Sequence, residues 1–267
     1  MSGRHVLVTG AASGIGKRTA QRFADSGDSV SLVDFRADAL ECARAEIAAA
    51  GGEVLATITA DLREPDAAER VIAEAWLAAP VDVLVNAAGV YPATPFLDLD
   101  AATWDSVLDL NLRAPLLTTV AIARRAIAED RKPTVVNITS GSALRARPGA
   151  APYSTSKAAL EMTTRASALE LGQYGIRVNA VSPGFVAVDS TVNQVTDEYA
   201  AAVSPNPLGR IGTPDDIARA VYWIAGDDAD WVTGSVLRVD GGSSTGAMGL
   251  PLSWPAADAS TADHVNN

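Results

Sequence analysis

The 267-residue chain predicts an α/β protein, one domain on a doubly wound, seven-stranded parallel sheet with helices on both faces. Three observations predict it. Short valine-rich runs alternate with helix-spaced segments along the chain. The runs show little polar alternation, as expected of strands buried on both faces. No segment rich in Pro, Gly or Ser divides the series, and hydrophobic residues make up 48%, enough for a sizeable core.

The strands are predicted at 6–8, 30–33, 54–58, 81–85, 135–138, 176–181 and 236–239. Helices are predicted between them at about 14–26, 37–50, 66–78, 101–129, 152–173 and 214–225. Repeated β-α-β steps require right-handed crossovers, which gives the parallel sheet. Pro152 suits the first turn of the fifth helix, where its missing N–H costs nothing. Thr213-Pro214-Asp215-Asp216 supplies a cap, an N1 proline and first-turn acids for the sixth. Residues 182–212 hold Pro183, Pro205 and Pro207 and form a long excursion between core elements, expected to work as a lid. The domain is expected to span 1–245. Residues 246–267 form a C-terminal tail, expected to be partly disordered or docked on an interface, with an apolar cluster at 250–255.

Charge and composition exclude several function classes. A formal net charge of −11 repels phosphate backbones and anionic lipid, so neither nucleic acid nor membrane is an expected partner. No run of about 18 apolar residues is present to span a bilayer. Cys42 stands alone in a helical stretch, so it is expected to pack rather than react. With one cysteine and no signal-peptide core after Met1, the expected location is cytoplasmic. His5 and His264 sit near opposite ends, and no His/Cys cluster suggests a metal.

The stretch from Val6 to Gly16 ends the first strand and opens the first helix. In it, Gly10, Ser13, Gly14, Ile15 and Gly16 form a tight turn whose backbone can approach a pyrophosphate, with the free N–H groups of a helix start behind it. This is a Rossmann-type dinucleotide signal. Asp34, at the end of the second strand and 18 residues past Gly16, is placed to bind the adenosine ribose hydroxyls and to repel a 2′-phosphate. The expected cofactor is therefore NAD(H) in preference to NADP(H), with Arg36 as the dissenting neighbour. Tyr153 and Lys157 stand four apart on the fifth helix and share a face. A nearby ammonium favours a phenolate and lowers the tyrosine pKa. Alone, such a pair is common on helix surfaces.

Together, the segment from Thr9 to Gly16, the run Asn86-Ala87-Ala88-Gly89, Asn111, Ser140, the Tyr153/Lys157 pair and Pro183-Gly184 follow a specific order and spacing. In this the chain resembles the short-chain dehydrogenase/reductase family over about residues 4–242, including the ending at 234–242. The resemblance implies that Tyr153 exchanges a proton with the substrate oxygen, Ser140 binds that oxygen, and Lys157 holds the nicotinamide ribose and lowers the tyrosine pKa. It gives Asn111 a water-linked proton relay. It places Asn86, Ala87 and Gly89 beside the adenosine ribose, Asp61 and Leu62 at the adenine, and Pro183, Gly184 and Val186 near the nicotinamide. The family's threonine at the position of Val188 is missing, and Ser190 or Thr191 are the candidate replacements.

The implied activity is hydride transfer between NAD(H) and a ketone or secondary alcohol. Walls at 142–144, 90–91 and 187–206, with Ser142, Leu144, Tyr91 and Tyr199, point to a small or aryl uncharged substrate, although Arg145 and Arg147 lie close by. A 3-oxoacyl-(acyl-carrier-protein)-type reductase, a non-catalytic NAD-binding regulator and an epimerase or dehydratase of the extended relatives are the alternatives. The family commonly forms homotetramers, so a homo-oligomer, tetramer or dimer, is expected.

Overall fold

The computed structural model describes residues 3–188 and 196–246. The tail cluster at 250–255, His264, Ser190 and Thr191 lie outside the described residues. The strands are β1 His5–Thr9, β2 Ser29–Asp34, β3 Val54–Thr59, β4 Val83–Asn86, β5 Thr134–Ile138, β6 Arg177–Pro183 and β7 Val236–Val239. They form one seven-stranded sheet in the order β3-β2-β1-β4-β5-β6-β7, with every neighbouring pair parallel. Strand order reverses between β1 and β4, which opens a crevice at their C-terminal ends.

Each strand sends alternate residues to opposite faces. Val6, Val8, Val83 and Val85 pack on one face with Phe23 of α1 (Gly14–Asp25), Leu40 and Ile47 of α2 (Ala37–Ala49), and Ile217 and Val221 of α8 (Pro214–Ile224). Leu7, Leu84 and Val135 pack on the other with Val71 and Ile72 of α3 (Ala67–Ala78), Ile122 of α5 (Ala114–Ala128) and Ala168 of α6 (Ala151–Leu171). Full burial of a side chain such as Phe23 or Ile122 contributes roughly 1.5–3 kcal/mol. The expected doubly wound sheet is thus present, with element ends moved by one or two residues.

Local chemistry sets several boundaries. The α8 start carries the predicted cap: Thr213 accepts from the Asp216 N–H, and the Asp216 carboxylate accepts from the Thr213 N–H. Arg210 also pairs with Asp216 and, with those bonds, holds its carboxyl well below the usual carboxylate range. The predicted single helix at 101–129 is divided into α4 (Ala101–Leu108), a π turn (Asp109–Arg113) and α5. By length and composition the stretch 101–128 would suit a membrane span, but half its apolar window is buried within the protein, as in a core helix.

One expectation is overturned here. Cys42 does not pack: it is exposed on the outer side of α2, while Leu40, Ala43 and Ile47 face the core. The 182–212 excursion leaves and rejoins the sheet through a neck. There the Ala187 N–H donates to Gly212 O and the Gly212 N–H donates to Phe185 O. It carries α7 (Asp197–Val203), capped by the Thr196 side chain.

Candidate active site

A cleft of about 880 Å³ lies at the C-terminal end of the sheet. At one end is the turn between β1 and α1. Gly10 has φ +68°, and a Cβ there would lie 2.8 Å from the Ala88 Cα; a Cβ on Gly16 would lie 2.2 Å from the Gly10 carbonyl oxygen. Only glycine lets this turn close against both α1 and the end of β4. No side chain caps α1 and no acid sits in its first turn. Its positive end and unpaired N–H groups therefore face the cleft, the arrangement that suits a pyrophosphate.

Thr9 ties the turn to the loop after β4, because its Oγ1 accepts from the Ala87 and Ala88 N–H groups at 3.1 and 3.2 Å. Asn86 does not reach the cleft wall. Its amide donates to Asn137 Oδ1 at 2.9 Å and accepts from Thr118, while Asn137 donates to Thr164. This buried network locks β4 to β5, α5 and α6, so Asn86 holds the sheet while Ala87 and Gly89 line the cleft.

Asp34 closes the second strand, almost fully buried. Its Oδ2 accepts from the Ala12 N–H, and its Oδ1 accepts from both the backbone N–H and the Nε of Arg36. Arg36 also donates to Ser13 Oγ at 2.9 Å. The same pattern recurs one strand further on. Asp61 is paired with Arg63, and their hydrogen bond lowers the Asp61 pKa despite desolvation. Asp61, Leu62 and Arg63 all line the cleft. Arg63 was not anticipated; the repeated Asp-x-Arg spacing at 34/36 and 61/63 was the available signal.

At the other end stand Ser140, Tyr153 and Lys157. Ser140 follows β5 and accepts from the Ser142 N–H at 3.1 Å; its hydroxyl lies near enough to Tyr153 to favour the phenolate. Tyr153 begins the second half-turn of α6, enclosed by protein but open to the cleft on one side. Burial raises its pKa, while the nearby Ser140 hydroxyl and the Arg147 charge oppose that rise. Lys157 is 5% exposed and has no carboxylate partner among the described residues; its Nζ donates to Ile138 O at 2.9 Å. Burial lowers its pKa to about 8. The expected lowering of the tyrosine pKa by Lys157 is not found: Nζ sits 5.8 Å from the Tyr153 ring centroid, and the opposing groups are Ser140 and Arg147.

Asn111 lies in the π turn, fully buried. Its Oδ1 accepts from the Val90 N–H, and its Nδ2 donates to Val90 O, both at 2.9 Å, and to Ser156 Oγ at 3.3 Å. The side chain clamps the β4 loop above Gly89, where an added Cβ would come within 3.2 Å of Asn111 Oδ1. A π turn is a frequent distortion at functional sites because it widens the helix locally.

Three tyrosines make the outer wall. Tyr91 packs against Tyr153 with its ring tilted by 55°, at 4.8 Å between centroids, and its hydroxyl lies 3.1 Å from that of Tyr199. Burial first, then Tyr199, raises the Tyr91 pKa. Ser142 lines the cleft, but the expected Leu144 does not. It is 45% exposed and outside the wall, because the short helical turn Gly141–Ala143 directs it outward. Arg145 is also turned away, donating to Ser243 O, whereas Arg147 points in and donates to Tyr199 Oη at 3.3 Å. Pro183, Gly184, Val186 and Val188 line the same cleft.

Comparison with known proteins agrees with this geometry. The family model described as enoyl-(acyl carrier protein) reductase matches residues 10–244. A Thauera aromatica protein, (2S)-[(R)-hydroxy(phenyl)methyl]succinyl-CoA dehydrogenase subunit BbsD, is 37% identical over 242 residues, 90% of this chain and 96% of that one. A short-chain type dehydrogenase/reductase from Mycobacterium marinum superposes with a TM-score of 0.86 at 31% identity, covering 92% of this chain and 97% of that one. A blue fluorescent protein from a metagenomic library, solved with NADPH, gives 0.82 at 31% identity, covering 91% and 98%.

Proposed function

Because this chain belongs to the short-chain dehydrogenase/reductase family and so acts on CH–OH and C=O carbons with a nicotinamide cofactor, we propose that Tyr153 is its acid/base and NAD(H) its preferred cofactor. The observation that supports the first part most is the meeting of Ser140 and Tyr153 at one end of a cleft whose other end is the glycine turn.

The residues fit the cofactor. The Gly10–Gly16 turn would take the pyrophosphate, Asp34 the adenosine ribose, Asp61 and Leu62 the adenine side, Lys157 the second ribose, and Val186 the carboxamide. When bound, the nicotinamide ring supplies or accepts the hydride. In reduction, Tyr153 gives its phenolic proton to the carbonyl oxygen as charge develops there, and the Ser140 hydroxyl donates a hydrogen bond to the same oxygen. In oxidation, Tyr153 takes the alcohol proton. Asn111 is a positioning residue in this account, holding Val90 and the loop beside Lys157.

The NAD preference rests on Asp34, a carboxylate at the end of β2 that would repel a 2′-phosphate. Arg36 already pairs with Asp34, so the preference is expected to be moderate. Asp34→Ala should weaken NADH and free Arg36 for a 2′-phosphate, moving the ratio of kcat/KM for NADH over NADPH at least about tenfold toward NADPH. An unchanged ratio in steady-state kinetics with both cofactors would remove Asp34 from the discrimination.

A homo-oligomer is part of the same proposal. Met162 and Leu169 on α6 and Leu116 and Ile127 on α5 are large apolar side chains left exposed on the two helices through which the family commonly assembles. Light scattering should return a multiple of the 27.5 kDa chain mass, and the monomer mass at micromolar concentration would contradict this.

A further inference from the structure

Arg147 is the guanidinium of the substrate end. It lines the cleft beside Tyr91, Tyr153 and Tyr199, and its guanidinium donates to Tyr199 Oη at 3.3 Å. Acids outnumber basic residues 32 to 21 in this chain, and most of its described arginines pair with a carboxylate. Arg147 pairs with none among the described residues, including Asp197 on the same wall. The two arginines at the adenosine end are already held by Asp34 and Asp61.

A guanidinium facing a cleft without a counter-ion is suited to a planar anion, which it can bind with two parallel N–H donors. The tyrosine chain fixes where that anion would lie. Tyr199 holds Arg147, Tyr91 lies against Tyr199, and Tyr91 packs against Tyr153, so anion and reacting oxygen share one compact wall. The remaining wall supplies the Ser142 hydroxyl and the small apolar Ala200 and Val188.

We propose that the substrate is an oxo acid or hydroxy acid whose carboxylate is bound by Arg147, a few carbons from the carbonyl or carbinol carbon presented to Tyr153 and Ser140. This rests on the hydride-transfer reading above and replaces the uncharged substrate expected from the sequence. Arg147 is then the specificity residue of the site. Its charge also reaches Tyr153, where it opposes the effect of burial.

The experiment compares short 2-, 3- and 4-oxo acids with their methyl esters, using the full chain and both reduced cofactors. The wild type should show higher kcat/KM for at least one oxo acid than for its ester. Arg147→Met should lower kcat/KM for that acid on the order of 30–100-fold more than for its ester, with the difference mostly in KM. Arg147→Lys should recover part of the loss, because it restores the charge without the fork. Cofactor binding by fluorescence checks that each variant is folded. Turnover of esters with no preference for any acid overturns the carboxylate site and leaves the hydride-transfer reading standing. Equal losses on acid and ester in Arg147→Met also overturn it, because the residue would then act through Tyr153 alone. No oxidation of either reduced cofactor by any acid or ester in the series would count against the underlying reading.

Discussion

Tyr153→Phe is expected to lower kcat by about 10³-fold while cofactor affinity stays within about threefold. The substitution removes one oxygen and keeps the ring that packs against Tyr91 at 4.8 Å, so the wall should survive. What disappears is the phenol hydroxyl that stands beside Ser140 in the cleft. Ser140 can still donate a hydrogen bond to a developing oxyanion, which leaves residual activity. The direction of the Tyr153 shift adds a pH signature. Burial raises its pKa, so the phenol is protonated at neutral pH and ready as an acid for reduction. Alcohol oxidation needs the conjugate base and should therefore accelerate as pH rises into the alkaline range, while reduction should slow. Steady-state rates in both directions across pH, with intact far-UV circular dichroism for the variant, check both parts.

Lys157→Met should abolish useful turnover and yet stabilise the cofactor-free protein. Lys157 is buried, without a carboxylate partner among the described residues, and desolvation lowers its pKa to about 8. A lysine whose folded pKa lies below its unfolded value leaves the unfolded chain binding more protons. Stability therefore rises with pH between about 8 and 10.5, and the full cost is present below that window. The interval is worth about 3 kcal/mol, of which loss of the Nζ–Ile138 O hydrogen bond gives back about 1. A net gain of about 2 kcal/mol at pH 7 corresponds to a Tm increase of roughly 4 °C. Activity should fall on the order of 10²-fold or more, since the group placed for the second ribose is gone. A lower Tm in Lys157→Met at pH 7 would contradict the account of an uncompensated buried ammonium. The site would then be an example of function kept at the expense of stability only in name.

The sheet was legible because its causes are local. Valine-rich runs of buried strands, the glycine turn and the Thr213–Asp216 cap each act within a few residues, and all three stand where they were expected. The positions of Tyr153, Lys157 and Ser140 were legible as a spacing pattern, but their electrostatics were not. Four residues on a helix put Tyr153 and Lys157 on one face, yet that spacing does not reveal that Nζ is taken up by the Ile138 carbonyl at the end of a strand 19 residues away. The π turn at 109–113 was hidden because the apolar pattern runs through it as a plain helix; the tertiary clamp between Asn111 and Val90 accompanies it. In the loop after β5, no periodicity separates inward from outward residues. Leu144 and Arg145 turn out while Ser142 and Arg147 turn in, through contacts with Ser243 and Tyr199 that lie 98 and 52 residues along the chain. Cys42 was misread for a related reason: the helical spacing of α2 leaves it on the solvent side of Leu40 and Ala43.

The central claim is hydride transfer to a carbonyl carbon, with the proton supplied from Tyr153. A single-turnover reaction tests it most directly. The enzyme is mixed with nicotinamide cofactor deuterated at the hydride-donating carbon, on either face in turn, and with the best ketone or oxo acid substrate in ordinary water. The account predicts one deuterium on the carbinol carbon from one face only, none on the hydroxyl, and loss of that product in Tyr153→Phe. Deuterium released to water, or carbinol formed without deuterium from both labelled faces, would contradict the account.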